Sequence, residues 1–169
     1  MKIRGGFVSN SSSSSFIIGF KTIPKNFCEL KDMMFGAYTE RMFYYEEAYD
    51  VFDIARIVFD DLKTPVKKQD LIEEVASGSV AGLVEDYDDD GPMSSEFQKW
   101  TNDEKQDYWK KLEDKRDKQA VEYVDKFLIG KEDLKFYIIS YSDNDGQQSA
   151  AMEHGEIFKR LPHLQISHH

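Results

Sequence analysis

The stretch that decides the fold lies near the start of the chain, where Gly5 to Ile18 reads GGFVSNSSSSSFII. A run of five serines normally indicates a flexible linker, because such residues bury too little apolar surface to offset the entropy lost on ordering. Here the run lies between two apolar segments, Phe7-Val8 and Phe16-Ile17-Ile18. Both segments favour burial in a core, so the sequence predicts that Ser9 to Ser15 is ordered against folded protein.

Four segments are predicted to form the strands of the sheet to which this stretch belongs. Ser15 to Lys21 is rich in β-favouring residues and predicts an N-terminal strand. Lys135 to Tyr141 (KFYIISY) predicts a second strand, which a turn at Ser142 to Gly146 connects to a returning hairpin strand at Gln147 to Met152. His163 to Ser167 predicts a C-terminal strand. We expect the N-terminal strand to pair beside the strand at 135–141.

Between these strands the apolar spacing changes to the helical period. A clear amphipathic stripe predicts a helix at about 49–63, and a shorter pattern predicts another at about 70–76. The longest helix is predicted at about 102–128, because Thr101 and Glu104 match a capping box at its start.

The order of these elements indicates the fold class. A short helix is predicted at 25–35, whereas 38–45 is ambiguous between helix and strand. Strand, helices, hairpin and strand in this order predict an α+β fold with a small, mainly antiparallel sheet. The length fits a single domain over residues 1–169.

The negative charge is concentrated in one region. Residues 40–90 contain 15 acidic and 5 basic residues, and the remaining residues contain 17 of each, so this region carries the whole net charge of -10. Such a field repels nucleic acid backbones and argues against a nucleic-acid binder. It suits a basic protein partner, including a nucleic-acid-binding protein whose site it occupies as a mimic. The alternative is a solvated acidic surface that keeps the protein soluble.

The composition also indicates where in the cell the protein is expected. No apolar run approaches the roughly 20 residues that span a bilayer, which argues against a membrane partner. The N-terminus lacks the apolar stretch of a signal peptide, so we expect a cytoplasmic protein. The lone Cys28 excludes an internal disulfide and a cysteine-based zinc site.

Histidines and carboxylates near the C-terminus are candidate metal ligands. All four histidines fall in the last sixteen residues. Imidazole and carboxylate groups bind zinc, manganese and iron, so a divalent metal is the candidate cofactor. Their spacing matches no established metal motif, and purely structural histidines remain the alternative. The candidate ligands are His154, His163, His168, Asp143 and Asp145.

The serine run adds a second candidate chemistry if it packs against this C-terminal region. A serine hydroxyl beside a histidine base is the arrangement of a nucleophile. No Gly-x-Ser-x-Gly elbow is present, and hydroxyls that satisfy a backbone turn are the alternative. The candidate site cluster is Ser9, Asn10, Ser11, Ser12, Ser13, Asp143, Asn144, Asp145, Glu153, His154, His163 and His168.

The segment from Met1 to Phe16 resembles an N-terminal signature of small bacteriophage and mobile-element proteins. Ser140 to Gly146 (SYSDNDG), Glu153-His154-Gly155 and the ending from Leu161 to His169 resemble segments that accompany that signature. The family has no assigned activity, so the resemblance implies a phage or prophage setting, and the host cytoplasm, without a reaction. The middle of the chain, 22–134, lies outside the resemblance.

Three hypotheses for function follow. The first is a phage-type accessory protein that binds and modulates a host or phage protein through its acidic middle region. The second is a small metal-dependent or acid–base hydrolase that uses the C-terminal His/Asp/Glu cluster. The third is a virion or structural component. Whether the chain is an enzyme, and its oligomeric state, stay open at this stage.

Overall fold

The computed structural model describes residues 13–80 and 99–168 of the chain. These residues form an α+β fold, as the sequence predicts. In chain order the elements are β1 (Ser13–Phe20), α1 (Phe27–Phe35), β2 (Arg41–Tyr44), β3 (Glu47–Asp50), α2 (Val51–Asp61), α3 (Lys68–Ser77), α4 (Asn102–Leu128), β4 (Lys135–Ser142), α5 (Gln147–His154) and β5 (His163–Ser167).

Strand β1 is the centre of the main sheet, whose order is β4-β1-β5 with both pairings antiparallel. Ser13 lies opposite Ser142 of β4, and Ser14 lies between Tyr141 of β4 and Ser167 of β5. The predicted pairing of the N-terminal strand with the 135–141 strand is confirmed. The last three serines of the run are therefore part of the central strand.

Alternate residues of β1 face opposite sides of the sheet, and different helices cover each side. Phe16, Ile18 and Phe20 pack on one face against side chains of α1, α2 and α5, including Leu30, Met34, Ile54, Val58 and Met152. Ile17 packs on the other face against side chains of α3 and α4, including Leu71, Val75, Ala120 and Val124. Ile17 and Ile18 are both fully buried. Such burial stabilises the fold by about 1.5–3 kcal/mol per side chain, so β1 joins two cores.

Local capping sets the helix boundaries, and the three helices predicted at 49–63, 70–76 and 102–128 are confirmed. At the start of α4, the Thr101 side chain accepts from the Glu104 backbone N–H at 3.3 Å, and the Thr101 N–H donates to the Glu104 carboxylate at 2.7 Å. This is the reciprocal capping box that the sequence indicates.

Within the described residues, no helix combines the length and apolarity needed to cross a membrane.

The predicted return strand of the 135–141 hairpin is wrong, because Gln147 to Met152 lies in helix α5. The chain leaves β4 through a 3₁₀ turn at Asp143–Asp145 and then turns at Gly146, whose φ is 102°. The sequence QQSAAMEH contains two alanines and no β-branched residue, which favours a helix over a strand. The helix buries Ala151 and Met152 against the sheet.

The ambiguous segment at 38–45 contributes to a second, two-stranded sheet. Strands β2 and β3 pair antiparallel, with Tyr44 opposite Glu47. Tyr45 lies in the connecting turn with a φ of 51°, and it is 87 % exposed. We call this pair of strands and their turn the tyrosine hairpin, residues 41–50.

Candidate functional site

Two consecutive serines of β1 belong to two separate polar networks. Because neighbouring strand residues face opposite sides of the sheet, Ser14 faces α5 and Ser15 faces α3. Both side chains are buried, at 2 % and 3 % exposure. Each network includes residues from the predicted C-terminal site, but the sheet lies between the two.

The first network surrounds the buried carboxylate of Glu153. The Ser14 hydroxyl donates to Glu153 Oε1 at 3.1 Å, and the Gln165 amide donates to Ser14 Oγ at 3.2 Å and to the Glu153 carbonyl at 3.1 Å. Glu153 is only 1 % exposed, and its Oε2 accepts no hydrogen bond within the described parts of the chain. His154 Nε2 lies 3.6 Å from that oxygen. The carboxylate thus links the central strand to a histidine at the protein surface.

The second network joins Ser15, His168 and Glu74. Ser15 Oγ lies 2.8 Å from Ser140 Oγ and 3.0 Å from His168 Nε2, and the same Nε2 lies 3.2 Å from Glu74 Oε1. A catalytic Ser-His-acid group needs the serine on one ring nitrogen and the carboxylate on the other. Here Nε2 contacts both Ser15 Oγ and Glu74 Oε1, so the carboxylate does not hold the ring from the opposite nitrogen as a catalytic triad requires. The group ties β1 to α3 and to the C-terminal residues.

The five predicted metal ligands do not converge. His154 and His168 are on opposite faces of the sheet. His163 lies opposite Ile18, four residues from Ser14 or about 13 Å along β1, and its Nδ1 is 3.0 Å from the Leu161 carbonyl. Within residues 13–80 and 99–168, no group of three or more His, Cys, Asp or Glu side chains is arranged to hold a metal ion.

The other predicted site residues lie in the turn after β4, at the start of β1, or outside the described residues. Asp143, Asn144 and Asp145 form the 3₁₀ turn after β4, where the Asn144 N–H donates to Ser142 Oγ at 3.3 Å. Ser13 is the first residue of β1. Four residues of the predicted cluster lie outside the described residues: Ser9, Asn10, Ser11 and Ser12.

Asp143 and His154 meet at a cleft between the tyrosine hairpin and α5. The cleft has a volume of about 720 Å³. Its described lining residues include three tyrosines and three carboxylates and no lysine or arginine. They are Tyr44, Tyr45, Glu46, Glu47, Tyr49, Asp143, Gln147, Ala150 and His154. We call it the tyrosine cleft.

The aromatic side chains of the tyrosine cleft are held against one another. The Tyr44 ring lies nearly parallel to the His154 ring, at an interplanar angle of 18° and a centroid distance of 6.3 Å. The Tyr45 ring meets Tyr44 edge to face, with centroids 4.5 Å apart. Burial raises the pKa of Tyr44, and the neighbouring Tyr45, Glu153 and Asp143 raise it further. The carboxylate contributions indicate a negative potential at this end of the cleft.

The Glu47 carboxylate is oriented by two neighbours. The Tyr49 hydroxyl donates to Glu47 Oε2 at 2.7 Å, and this hydrogen bond is the main reason that the pKa of Tyr49 is raised. With its amide nitrogen turned toward Glu47, Gln147 donates to both carboxylate oxygens at 3.0 and 3.2 Å. Because Tyr49 is on β3 and Gln147 is on α5, Glu47 connects the two walls of the cleft.

The tyrosines and glutamates of the hairpin are the site residues that sequence reasoning missed. A weak signal was present, since two tyrosines are followed directly by two glutamates at 44–47. Comparison of the chain with protein-family models, with curated proteins and with solved structures finds no match. The chemistry of the cleft itself is therefore the basis for assigning a function.

Proposed function

We propose that this chain is a non-enzymatic binding protein that engages a basic segment of a partner protein in the tyrosine cleft. The observation that carries the proposal is the pairing of aromatic rings with carboxylates in one concave surface. Aromatic faces attract cations through their quadrupole, and carboxylates complement the same charge. A lining with three carboxylates disfavours an acidic or phosphate-bearing ligand.

Charge next to the cleft supports the same partner class. Residues 40–61, which include the tyrosine hairpin and α2, contain seven acidic and two basic residues. One of the two, Arg56, lies 3.5 Å from Asp53 and packs over the Phe27 ring at 5.0 Å. The field of this surface steers a basic partner toward the cleft, and salt weakens such steering.

The likeness of the N-terminal segment to phage and mobile-element proteins supports a partner encoded by the phage or its host. A nucleic-acid-binding protein is a basic partner of this kind, and occupation of its basic surface would modulate it. The proposed role is therefore that of an accessory protein in the host cytoplasm.

A charge-variant comparison tests the proposal. The variant Glu40→Gln/Glu46→Gln/Asp60→Asn removes three exposed carboxylates from residues 40–61, the acidic surface, and Glu46 among them lines the cleft. The control Glu113→Gln/Asp114→Asn/Glu122→Gln makes the same change in net charge on the exposed side of α4. Binding to a defined arginine- and lysine-rich peptide is measured by isothermal titration calorimetry at about 50 mM and about 300 mM salt, where screening lengths differ by more than twofold.

We expect the wild-type chain and the α4 control to bind the peptide alike at low salt and more weakly at high salt. We expect the acidic-surface variant to bind at least about tenfold more weakly at low salt, because each lost carboxylate removes a steering charge. Equal affinity of the two variants would refute the assignment of binding to this surface.

A further inference from the structure

We infer that the tyrosine cleft takes the guanidinium group of an arginine side chain, with Tyr45 as the stacking surface and Glu46 and Glu47 as charge partners. The inference rests on the proposed function, because it names the side chain by which a basic partner is recognised. Three features of the cleft carry it: an exposed aromatic face, an oriented carboxylate and an open mouth.

The exposed aromatic face belongs to Tyr45. This residue lines the cleft with 87 % of its surface exposed, so the hydrophobic core does not account for an aromatic side chain here. Its ring stands at 62° to the Tyr44 ring, and Tyr44 packs in turn beside His154. The two rings form a corner that is already in place, which lowers the entropy cost of stacking a ligand.

The oriented carboxylate belongs to Glu47. A carboxylate offers about four lone-pair positions. The Tyr49 hydroxyl and the Gln147 amide occupy up to three of them, and both donors come from the walls of the cleft. At least one position therefore remains for a ligand N–H in a fixed direction. Glu46, the next residue after Tyr45, lines the same cleft and is exposed.

These features suit a guanidinium better than an ammonium group. A guanidinium is planar, stacks on aromatic faces and presents five N–H donors in a fixed fork, so it can lie on Tyr45 and reach more than one carboxylate. An ammonium is a compact, strongly hydrated charge that keeps its water in an open cleft. The tyrosine cleft is open to solvent on the side of the hairpin turn, where Tyr45 and Glu46 are exposed.

The test compares three short peptides of identical sequence that carry arginine, lysine or citrulline at the same positions. Calorimetry on the full chain at fixed ionic strength measures each affinity. We expect the arginine peptide to bind about tenfold more tightly than the lysine peptide, and the neutral citrulline peptide to bind more weakly than both.

Variants of the cleft assign the selectivity to its residues. Tyr45→Leu keeps an apolar side chain and removes the ring, so the advantage of arginine over lysine falls to about twofold or less. Tyr38→Leu is the matched control, because Tyr38 is 99 % exposed and does not line the cleft, and it leaves the advantage unchanged. Glu46→Gln weakens both charged peptides.

The outcomes separate this inference from the proposed function. If arginine and lysine peptides bind equally and Glu46→Gln weakens both, the arginine assignment is overturned and the basic-partner proposal is retained. If neither Tyr45→Leu nor Glu46→Gln changes the affinity of any peptide, both are overturned.

Discussion

Replacement of Ser14 by alanine tests whether the serine run is built into the fold through Glu153. The Ser14 hydroxyl donates the hydrogen bond to Glu153 Oε1 at 3.1 Å, and Oε2 has no hydrogen-bond partner within the described part of the chain. Glu153 is 1 % exposed, so the variant leaves its carboxylate buried without this hydrogen bond, with His154 Nε2 at 3.6 Å from Oε2. Loss of a hydrogen bond to a buried charged group costs about 2–3 kcal/mol.

Urea unfolding followed by circular dichroism measures this cost. In a thermal melt of the same variant, each kcal/mol lowers the midpoint by about 2–4 °C for a chain of 169 residues, so we expect a decrease of about 4–12 °C. Ser13→Ala is the matched control, because Ser13 lies on the same strand and faces away from Glu153. We expect this control to change the free energy of unfolding by less than about 0.5 kcal/mol.

A double variant distinguishes the loss of the hydrogen bond from the cost of leaving the Glu153 carboxylate buried without it. Ser14→Ala/Glu153→Met removes both partners of this hydrogen bond, while the Gln165 amide keeps its bond to the residue 153 carbonyl, and such paired removal is nearly neutral when shape is kept. We therefore expect the double variant to be more stable than Ser14→Ala alone. Glu153→Met alone completes the comparison. A cost below about 0.5 kcal/mol for Ser14→Ala would refute the proposed role of this hydrogen bond. So would a double variant whose loss of stability equals the sum of the losses of Ser14→Ala and Glu153→Met.

Two further predictions concern other parts of the fold. Burial, and then the Asp61 carboxylate that accepts from the hydroxyl at 3.3 Å, raise the pKa of Tyr141. The folded state therefore favours the neutral form of Tyr141. Its contribution to the free energy of unfolding is complete below the unfolded tyrosine pKa of about 10 and decreases as the pH rises above that value. Tyr141→Phe is expected to flatten the fall in the free energy of unfolding above about pH 10, and an unchanged slope would contradict this. At the end of α3, a Cβ on Gly78 would lie 2.8 Å from the Ser167 carbonyl and would overlap the Ile166 side chain. Gly78→Ala is expected to cost about 1–3 kcal/mol in urea unfolding, and a neutral result would show that α3 and β5 separate easily.

The parts of the fold that the sequence predicts are those with local signals. The long helix α4 begins and ends where predicted, and its start follows from the capping box at Thr101 and Glu104, which lies within one turn. Strand β1 contains the apolar run Phe16-Ile17-Ile18, whose side chains are buried on both faces of the sheet, as its central position between β4 and β5 requires, whereas β4 lies at an edge. The prediction of a strand at Gln147 to Met152 is wrong because the Asp-Asn-Asp-Gly turn is also typical of a β-hairpin. In this chain the same turn leads into helix α5.

The candidate site depends on contacts between distant residues, which explains why it was predicted only in part. Tyr49 and Gln147 meet at 3.4 Å across 98 positions of sequence. The sequence predicts that the C-terminal residues share one site with the serines. The structure instead divides them, since Ser14 faces Glu153 and Ser15 faces His168. The register of β1 decides which face of the sheet each serine side chain occupies, and the amino-acid composition does not reveal that register.

The most direct test of the account is an amide NMR titration of the full chain with the arginine peptide. Specific binding in the tyrosine cleft predicts saturable shifts of the amides of Tyr45, Glu46 and Ala150, which line both of its walls. The amides of Glu113 and Glu122 are expected to stay unchanged, because α4 packs on the opposite face of the sheet from α5. Shifts confined to α4, or small shifts spread over all acidic residues without saturation, would contradict a binding site in the cleft.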